Sequence, residues 1–221
     1  MPRSLGGRTS SAATGLLVTT LACTLLADGT SDRVLEPVLR WLLDNHCPDA
    51  TSLQFAKYLP GNPKTLAERI ATALDQYPCH LLFVHRDAEA ISPEDRQHEF
   101  DDAWTPQTDE LHLVTIIPVR MTETWLLLDE AAIRSASGNP NGKMPLKLPS
   151  ASQLESLKDP KELLFEALRT ASGHSGGRLK AFSPETRRHR VSELMTRYET
   201  LRALPSFLRL EAQLQQIFQK N

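Results

Sequence analysis

Acidic side chains follow two separate apolar segments of this chain of 221 residues. Asp28 and Asp32 come after the first segment, and Asp87 and Glu89 come after the second. If the two segments are neighbouring strands, the carboxylates converge in one crevice, and so much negative charge requires cations or strongly raised pKa values. Oxygen ligands without a Cys or His cluster favour Mg²⁺ or Mn²⁺ over Zn²⁺. The sequence therefore predicts a divalent-metal site for phosphodiester chemistry, with all four carboxylates as candidate ligands.

A purely structural explanation competes with this prediction. Asp28-Gly29-Thr30 is also a common turn and helix-cap pattern, and Arg86-Asp87-Ala88-Glu89 is unspecific by itself. The argument for function is that carboxylates recur at the same place after two apolar segments. Both interpretations stay open at this level.

Alternating strands and helices are predicted around the acidic residues. Apolar runs predict strands, and apolar positions at helical spacing predict helices. The predicted strands lie at 21–26, around 53–58, at 80–85 and at 111–119. The predicted helices run over 32–43, 65–77 and 93–103, and a further one begins at about 120. This order implies right-handed crossovers and an α/β fold with a mainly parallel sheet.

The chain divides further by composition. We expect a loose leader over 1–18, an α/β core over 19–133, a loop or insertion over 134–160, and a helical region over 161–221 that packs on the core. The segment 134–160 is rich in Ser, Gly and Pro, which is typical of irregular structure. Helical spacing then recurs over 161–171, 183–201 and 206–220.

The overall composition is that of an ordinary soluble protein, with 40% hydrophobic and 24% charged residues. The formal net charge of −2 excludes a global basic field, so any nucleic acid must be bound by a local patch. Cys23, Cys47 and Cys79 are scattered in mostly apolar surroundings, which suits reduced thiols and a cytoplasmic location. No association with a membrane is expected.

Several arginines are candidate contacts for a nucleic-acid backbone. They are Arg86, Arg120, Arg187, Arg188 and Arg190. The last three belong, with Arg178, Lys180 and Arg197, to the most concentrated basic stretch of the chain. The competing explanation is a solvated helix face, or an interface with the acidic segment 94–102.

Glu123 is a further candidate catalytic residue, because it follows the predicted strand at 111–119 and could complete the acidic crevice. The alternative is an ion pair with Arg120 at the start of a helix, with Trp125 filling the core.

The acidic motifs carry a family resemblance. Asp28-Gly29-Thr30-Ser31-Asp32 resembles the Glu-Gly-x-Ser/Thr-Glu motif that opens TOPRIM-like domains, and Asp87-Ala88-Glu89 resembles their Asp-x-Asp motif. The segments 118–129, 159–164 and 205–209 resemble those of small TOPRIM-like proteins encoded beside AAA or OLD-type ATPases in bacterial defence islands. The resemblance spans roughly 22–218.

The resemblance implies a TOPRIM-like (Rossmann-like) mainly parallel sheet flanked by helices, with a C-terminal helical cap. Asp28 takes the place of the general acid/base glutamate, Asp32 that of the second acid, and Asp87 and Glu89 that of the metal-binding pair. The sequence departs from the family pattern twice, with Asp for Glu at 28 and Glu for Asp at 89.

The function that this resemblance implies is an Mg²⁺-dependent or Mn²⁺-dependent nuclease for DNA or RNA. It would act as an effector in anti-phage defence with a partner ATPase. Assembly into a homo-oligomer is compatible with this function. One alternative is a catalytically weak TOPRIM-like binding or regulatory subunit docked on the ATPase. A third is an enzyme of phosphate chemistry on small molecules.

Overall fold

The computed structural model describes residues 20–106 and 108–219, so the predicted leader over 1–18 lies outside the described residues. A four-stranded sheet lies at the centre, in the order β2-β1-β3-β4 with every neighbouring pair parallel. The strands are β1 (Leu21–Leu26), β2 (Thr51–Phe55), β3 (Leu81–His85) and β4 (His112–Ile116). The predicted parallel α/β fold with flanking helices is confirmed.

Ten α-helices surround the sheet within the described residues. The first five are α1 (Glu36–His46), α2 (Leu66–Gln76), α3 (Pro93–Ala103), α4 (Glu123–Leu126) and α5 (Glu130–Ala136). The others are α6 (Ala151–Leu154), α7 (Pro160–Ser172), α8 (Gly176–Lys180), α9 (Pro184–Leu194) and α10 (Pro205–Gln219). Two 3₁₀ helices, Thr30–Leu35 and Tyr198–Ala203, precede α1 and α10.

The two faces of the sheet bury different helices. Helices α2 and α3 cover one face, where Ile70 and Phe100 pack on Leu82 and Val84 of β3. Helix α1 and the C-terminal helices cover the other face and share one large core with it. Because both faces are covered, β3 is buried along its whole length and consists of a continuous apolar run up to His85.

The path of the chain reverses between β1 and β3. From β1 the chain goes outward to β2 on one side, and it then returns across β1 to place β3 on the other side. In open α/β sheets, ligands bind outside the carboxyl ends of the strands at such a reversal. The residues that follow β1 and β3 are therefore the ones that the fold places for a ligand.

Most of the segment 134–160 has no regular secondary structure, but it is packed on the core rather than loose. Helix α5 extends into it, α6 lies within it, and Leu146 and Leu154 are buried in the large core. The sequence did not predict this packing, because the few buried leucines are widely spaced among turn-forming residues and show neither helical nor strand periodicity.

The predicted helix over 183–201 is also interrupted. It consists of α9 and a separate 3₁₀ helix, and α10 follows. Helix α10 then covers the outer edge of β4, where the Gln213 side-chain amide accepts a hydrogen bond from the Thr115 N–H (2.9 Å) and donates one to the Thr115 carbonyl (3.0 Å). An edge strand with exposed backbone groups would invite aggregation, and this pairing protects it.

None of the helices described here combines the length and the apolar character that a membrane crossing requires.

Candidate functional site

The predicted acidic residues meet at one edge of the sheet. Asp28 and Asp32 follow β1, and Asp87 follows β3, the strand paired with β1 up to the register Leu26–Val84. Parallel neighbours end at the same edge, which is also where the chain reverses. The structure therefore brings these three carboxylates to one place.

A buried histidine lies between two of the carboxylates. His85, the last residue of β3, is 2% exposed. Its Nδ1 lies 3.5 Å from Oδ2 of Asp32, and its Nε2 lies 3.2 Å from Oδ1 of Asp87. Thr122 adds a hydroxyl 3.1 Å from Nε2 of His85, and this hydroxyl donates to Oδ1 of Asp87 at 3.3 Å. We refer to His85, Asp32, Asp87 and Thr122 as the His85 cluster.

The contact between His85 and Asp32 is electrostatic rather than a well-formed hydrogen bond. Burial disfavours the imidazolium, but hydrogen bonding and charge from Asp32 and Asp87 outweigh burial and raise the pKa of His85 to about 9. Nδ1 of His85 has no partner of good hydrogen-bond geometry, since the 3.5 Å contact with Asp32 is long. We therefore treat that contact as mainly electrostatic, which still favours the protonated ring.

Asp32 responds in the opposite direction. Its burial acts to raise its pKa, but His85, the Gly29 N–H at 3.1 Å and the charge of Arg188 together lower the pKa of this carboxyl. The raised pKa of His85 and the lowered pKa of Asp32 both favour an imidazolium beside an ionised Asp32 at neutral pH. The predicted acidic site requires Asp32 in its negatively charged form, which the lowered pKa favours.

Asp28 lies outside the His85 cluster and is about half exposed. Arg69, from α2, donates to its Oδ1 and also to the Ala27 carbonyl at 2.7 Å. Arg86 approaches Oδ2 of Asp28 at 3.5 Å and donates to Glu99 at 2.7 Å. Arg86 is therefore a charge partner of two acids in this arrangement, at the rim where a phosphate contact was predicted.

Glu123 and Arg188 form a buried ion pair. Glu123 begins α4 and is 3% exposed, while Arg188 comes from α9 and also donates to the Ser31 carbonyl at 2.7 Å. Glu123 thus does not add a free carboxylate to the crevice, and its partner is Arg188 rather than Arg120. Because a buried charge must be paired, Arg188 is not placed to contact a phosphate.

Glu89 and Arg120 hold two loops together through the backbone. The Glu89 N–H donates to the Arg120 carbonyl (3.3 Å), and the Arg120 guanidinium donates to the Glu89 carbonyl (3.2 Å). Both residues have positive φ, 54° and 68°, which is uncommon outside glycine and occurs at ligand-binding loops. The Glu89 side chain is exposed, two residues beyond Asp87.

The remaining predicted arginines lie on the surface of α9. Arg187 places its guanidinium 5.8 Å from the centre of the Phe182 ring, and Arg190 pairs with Glu193 at 2.8 Å. The basic stretch therefore does not act as one unit, since Arg188 points inward and its neighbours point outward.

The fit of a divalent cation depends on which carboxylate oxygens are free. Asp28 is held by two arginines and Asp32 by His85 and Gly29, whereas only Oδ1 of Asp87 has a hydrogen-bond partner among the described residues. Over 20–106 and 108–219, no three His, Cys, Asp or Glu side chains are arranged to hold a metal ion. Mg²⁺ commonly uses one or two carboxylates together with water and substrate phosphate, so Asp87 and the exposed Glu89, two residues further on, are the candidates for such a smaller donor set.

Three residues of this site were not singled out in the sequence. They are His85, Thr122 and Arg69. A signal existed for His85, because it is the one ionisable residue that closes the apolar run over 81–85 directly before an acidic motif. Arg69 and Thr122 lie at ordinary positions of a helix and a loop, and only the fold shows their proximity.

The structure thus defines a parallel α/β protein with a charge-balanced carboxylate cluster at the point where the sheet reverses direction. Comparisons with protein-family models, with curated proteins and with solved structures found no significant match for this chain.

Proposed function

We propose that this protein is a TOPRIM-like nuclease that hydrolyses phosphodiester bonds of DNA or RNA with Mg²⁺ or Mn²⁺. The observation that carries the proposal is the meeting of Asp32 and Asp87 on His85, where β1 and β3 end side by side. The acidic motifs, which resemble those of TOPRIM-like domains, occupy this edge.

Asp87 and Glu89 are the residues that would hold the cation, because one oxygen of Asp87 has no hydrogen-bond partner within 20–106 and 108–219 and Glu89 is exposed. When bound, the cation would polarise the phosphate and stabilise the charge that develops during hydrolysis. His85 and Thr122 fix the other oxygen of Asp87, so they orient this carboxylate. Hydrogen bonds from neighbouring residues that orient a metal-binding carboxylate are a common feature of metal sites.

Asp28 would serve as the general acid or base. Its half-exposed position lets it meet a substrate, and Arg69 and Arg86 orient its carboxylate. Arg86 lies between Asp28 and Glu99, so a phosphate that entered the site could replace one of these acids as its partner.

The biological setting is proposed from the resemblance alone. The nuclease would be an effector of anti-phage defence, licensed by an AAA or OLD-type ATPase encoded nearby, and it would work in the cytoplasm. The exposed strand-end edge leaves room for nucleic acid, and a second copy of the chain is compatible with this assignment.

The test is cleavage of plasmid DNA and of a tRNA pool by the purified protein in Mg²⁺ or Mn²⁺, with and without the neighbouring ATPase. Asp87→Asn removes the proposed ligand and keeps the side-chain shape, and Asp101→Asn on the exposed face of α3 is a matched control. We expect the first variant to lose cleavage and the second to keep it. Equal cleavage by all three proteins would refute the assignment of the site.

A second candidate function is a TOPRIM-like subunit that regulates or binds a partner without cleaving. The observation that favours it is the charge balance, because His85, Arg69, Arg86 and Arg188 supply within the chain the cations that the carboxylates require. Titration calorimetry with Mn²⁺ separates the two candidates. Binding that Asp87→Asn abolishes supports the nuclease, and the absence of binding by the folded wild-type protein supports the regulatory subunit.

A further inference from the structure

A short segment projects from the C-terminal helices and carries only positive charge. All residues from 173 to 181 are exposed, although the segment contains the single-turn helix α8. It includes His174, Arg178 and Lys180 and no Asp or Glu. Because these side chains are completely exposed, they contribute little to the core, and packing does not explain why the segment carries only basic charges.

The base of the segment is fixed by an aromatic contact. Phe182 packs against the large core, and the His174 ring meets it edge-on with ring centres 5.9 Å apart. The guanidinium of Arg187 also lies over the Phe182 ring, 5.8 Å from its centre. Arg187 of α9 is thereby held beside the projecting segment. We call Arg178, Lys180 and Arg187, with His174, the basic projection.

The cations of the basic projection differ from the other arginines nearby. Arg188 is buried on Glu123, and Arg190 pairs with Glu193. In the part of the chain that the structure describes, Arg178, Lys180 and Arg187 make no ion pair. Three exposed cations of the segment and of its neighbour Arg187 are thus without an ion-pair partner among the described residues, and they are available to an anionic partner.

The basic projection is connected to the strand-end site through α9. Arg188, the next residue after Arg187, donates to the carbonyl of Ser31, which adjoins Asp32. The two neighbouring arginines therefore face opposite ways, one into the acidic turn and one onto the projecting segment. Helix α9 thus contacts both the acidic turn, through Arg188, and the projecting segment, through Arg187.

We propose that the basic projection binds the phosphate backbone of a nucleic acid and holds it for the strand-end site. This inference rests on the proposed nuclease function and names the surface that positions its substrate. Exposed Lys and Arg side chains can bind the phosphates of a nucleic acid through charge, and such contacts do not require a surface of complementary shape. A protein partner would require a larger apolar centre, whereas Leu179 is the one large hydrophobic residue exposed on the segment.

The test measures binding separately from cleavage. Fluorescence anisotropy with labelled single-stranded and duplex oligonucleotides is recorded in EDTA, which withholds the metal from the full-length protein. The variant Arg178→Gln/Lys180→Gln/Arg187→Gln is compared with Lys143→Gln/Lys147→Gln/Lys158→Gln, which removes the same charge at three other exposed positions. Circular dichroism confirms that both variants are folded.

We expect the first variant to bind at least about tenfold more weakly, and the slope of log affinity against log salt to fall by about 2, since each phosphate contact contributes about 0.7 to 0.9. The control variant should keep both values. Equal loss in both variants, or no binding by the wild-type protein, would overturn the proposal. Tighter binding of labelled poly-glutamate than of the oligonucleotides, lost only in the first variant, would also overturn it in favour of an acidic protein partner.

Failure of the nuclease assignment gives a different pattern. If the wild-type protein binds the oligonucleotide through the basic projection but never cleaves it in Mg²⁺ or Mn²⁺, this inference stands and the nuclease activity is refuted. If it cleaves normally with the projection neutralised, the activity stands and this inference is refuted.

Discussion

Two buried charged clusters of this protein have opposite composition. At the strand ends a single histidine, His85, lies between two carboxylates. Between α1 and α10 a single carboxylate, Glu211, lies between two basic side chains. Glu211 is 4% exposed, and it meets Nε2 of His46 at 2.8 Å and the guanidinium of Arg202 through contacts of 2.7 and 2.9 Å.

The difference between the clusters lies in how completely their atoms are satisfied. Both oxygens of Glu211 accept hydrogen bonds, as expected of a contact that joins two helices. In the His85 cluster, Nδ1 of His85 lacks a good hydrogen bond, and Oδ2 of Asp87 has no partner among the described residues. Buried charge alone therefore does not identify a functional site, whereas incomplete bonding at the reversal of the sheet points to one.

The largest effect that separates the clusters is expected at alkaline pH. The pKa of His85 is raised from 6.5 to about 9, so its contribution to stability is complete below pH 6.5 and is lost as the pH rises through about 9. This shift corresponds to about 3 kcal/mol. Urea unfolding in EDTA should show the free energy of unfolding falling over this window.

The variant His85→Gln is the control for that prediction. It should be less stable than the wild type below pH 6.5 and should lack most of the alkaline slope, because glutamine does not titrate. A slope that persists unchanged in His85→Gln would assign the alkaline loss to other groups and would remove the imidazolium from our description of the site.

A smaller effect of opposite pH dependence is expected at Glu211. Hydrogen bonding to Arg202, which outweighs burial, and to His46 lowers the pKa of this carboxyl below 4.5. Its contribution is therefore present above pH 4.5 and is lost as the pH falls through the lowered pKa. Glu211→Gln should cost about 2 kcal/mol at neutral pH, less than a fully buried pair because Arg202 can regain water. Chemical denaturation from neutral to acid pH measures it, and an unchanged acid slope would contradict the assignment.

The smallest change in stability is expected for Asp28→Asn. Asp28 is about half exposed and its partner Arg69 is partly exposed, so the ion pair is worth about 0.5 kcal/mol. If Asp28 is the general acid or base, the same variant should nevertheless lose most of the cleavage activity. A fall in stability as large as that of Glu211→Gln, with activity retained, would make Asp28 a structural residue instead.

The sequence was sufficient for the centre of the sheet because β1 and β3 are largely apolar runs. The segment before His85 is such a run, and it predicts both the strand and the place of Asp87 after it. The parallel arrangement followed from the intervening helices. The packing of 134–160 did not follow, because Leu146 and Leu154 are buried without any regular spacing around them.

The location of the candidate site could be predicted from the sequence, but the partners of its carboxylates could not. Asp28, Asp32 and Asp87 could be placed at one edge from the order of the strands. The partners of these carboxylates come from distant positions, such as Arg69 in α2, and no local pattern indicates such contacts. For the same reason the pairing of Glu123 with a residue of α9, 65 positions later, became evident only in the fold.

The central claim is that the His85 cluster serves function as well as stability, whereas the Glu211 cluster serves stability alone. Asp87→Asn and Glu211→Gln each convert one acid into its amide, and both nuclease activity and the free energy of unfolding are measured for each. We predict that both variants lose stability, by about 1 to 2 kcal/mol each, but that only Asp87→Asn also loses at least about 100-fold in cleavage, whereas Glu211→Gln cleaves normally below its unfolding transition. Cleavage by Asp87→Asn at the wild-type rate would contradict the account.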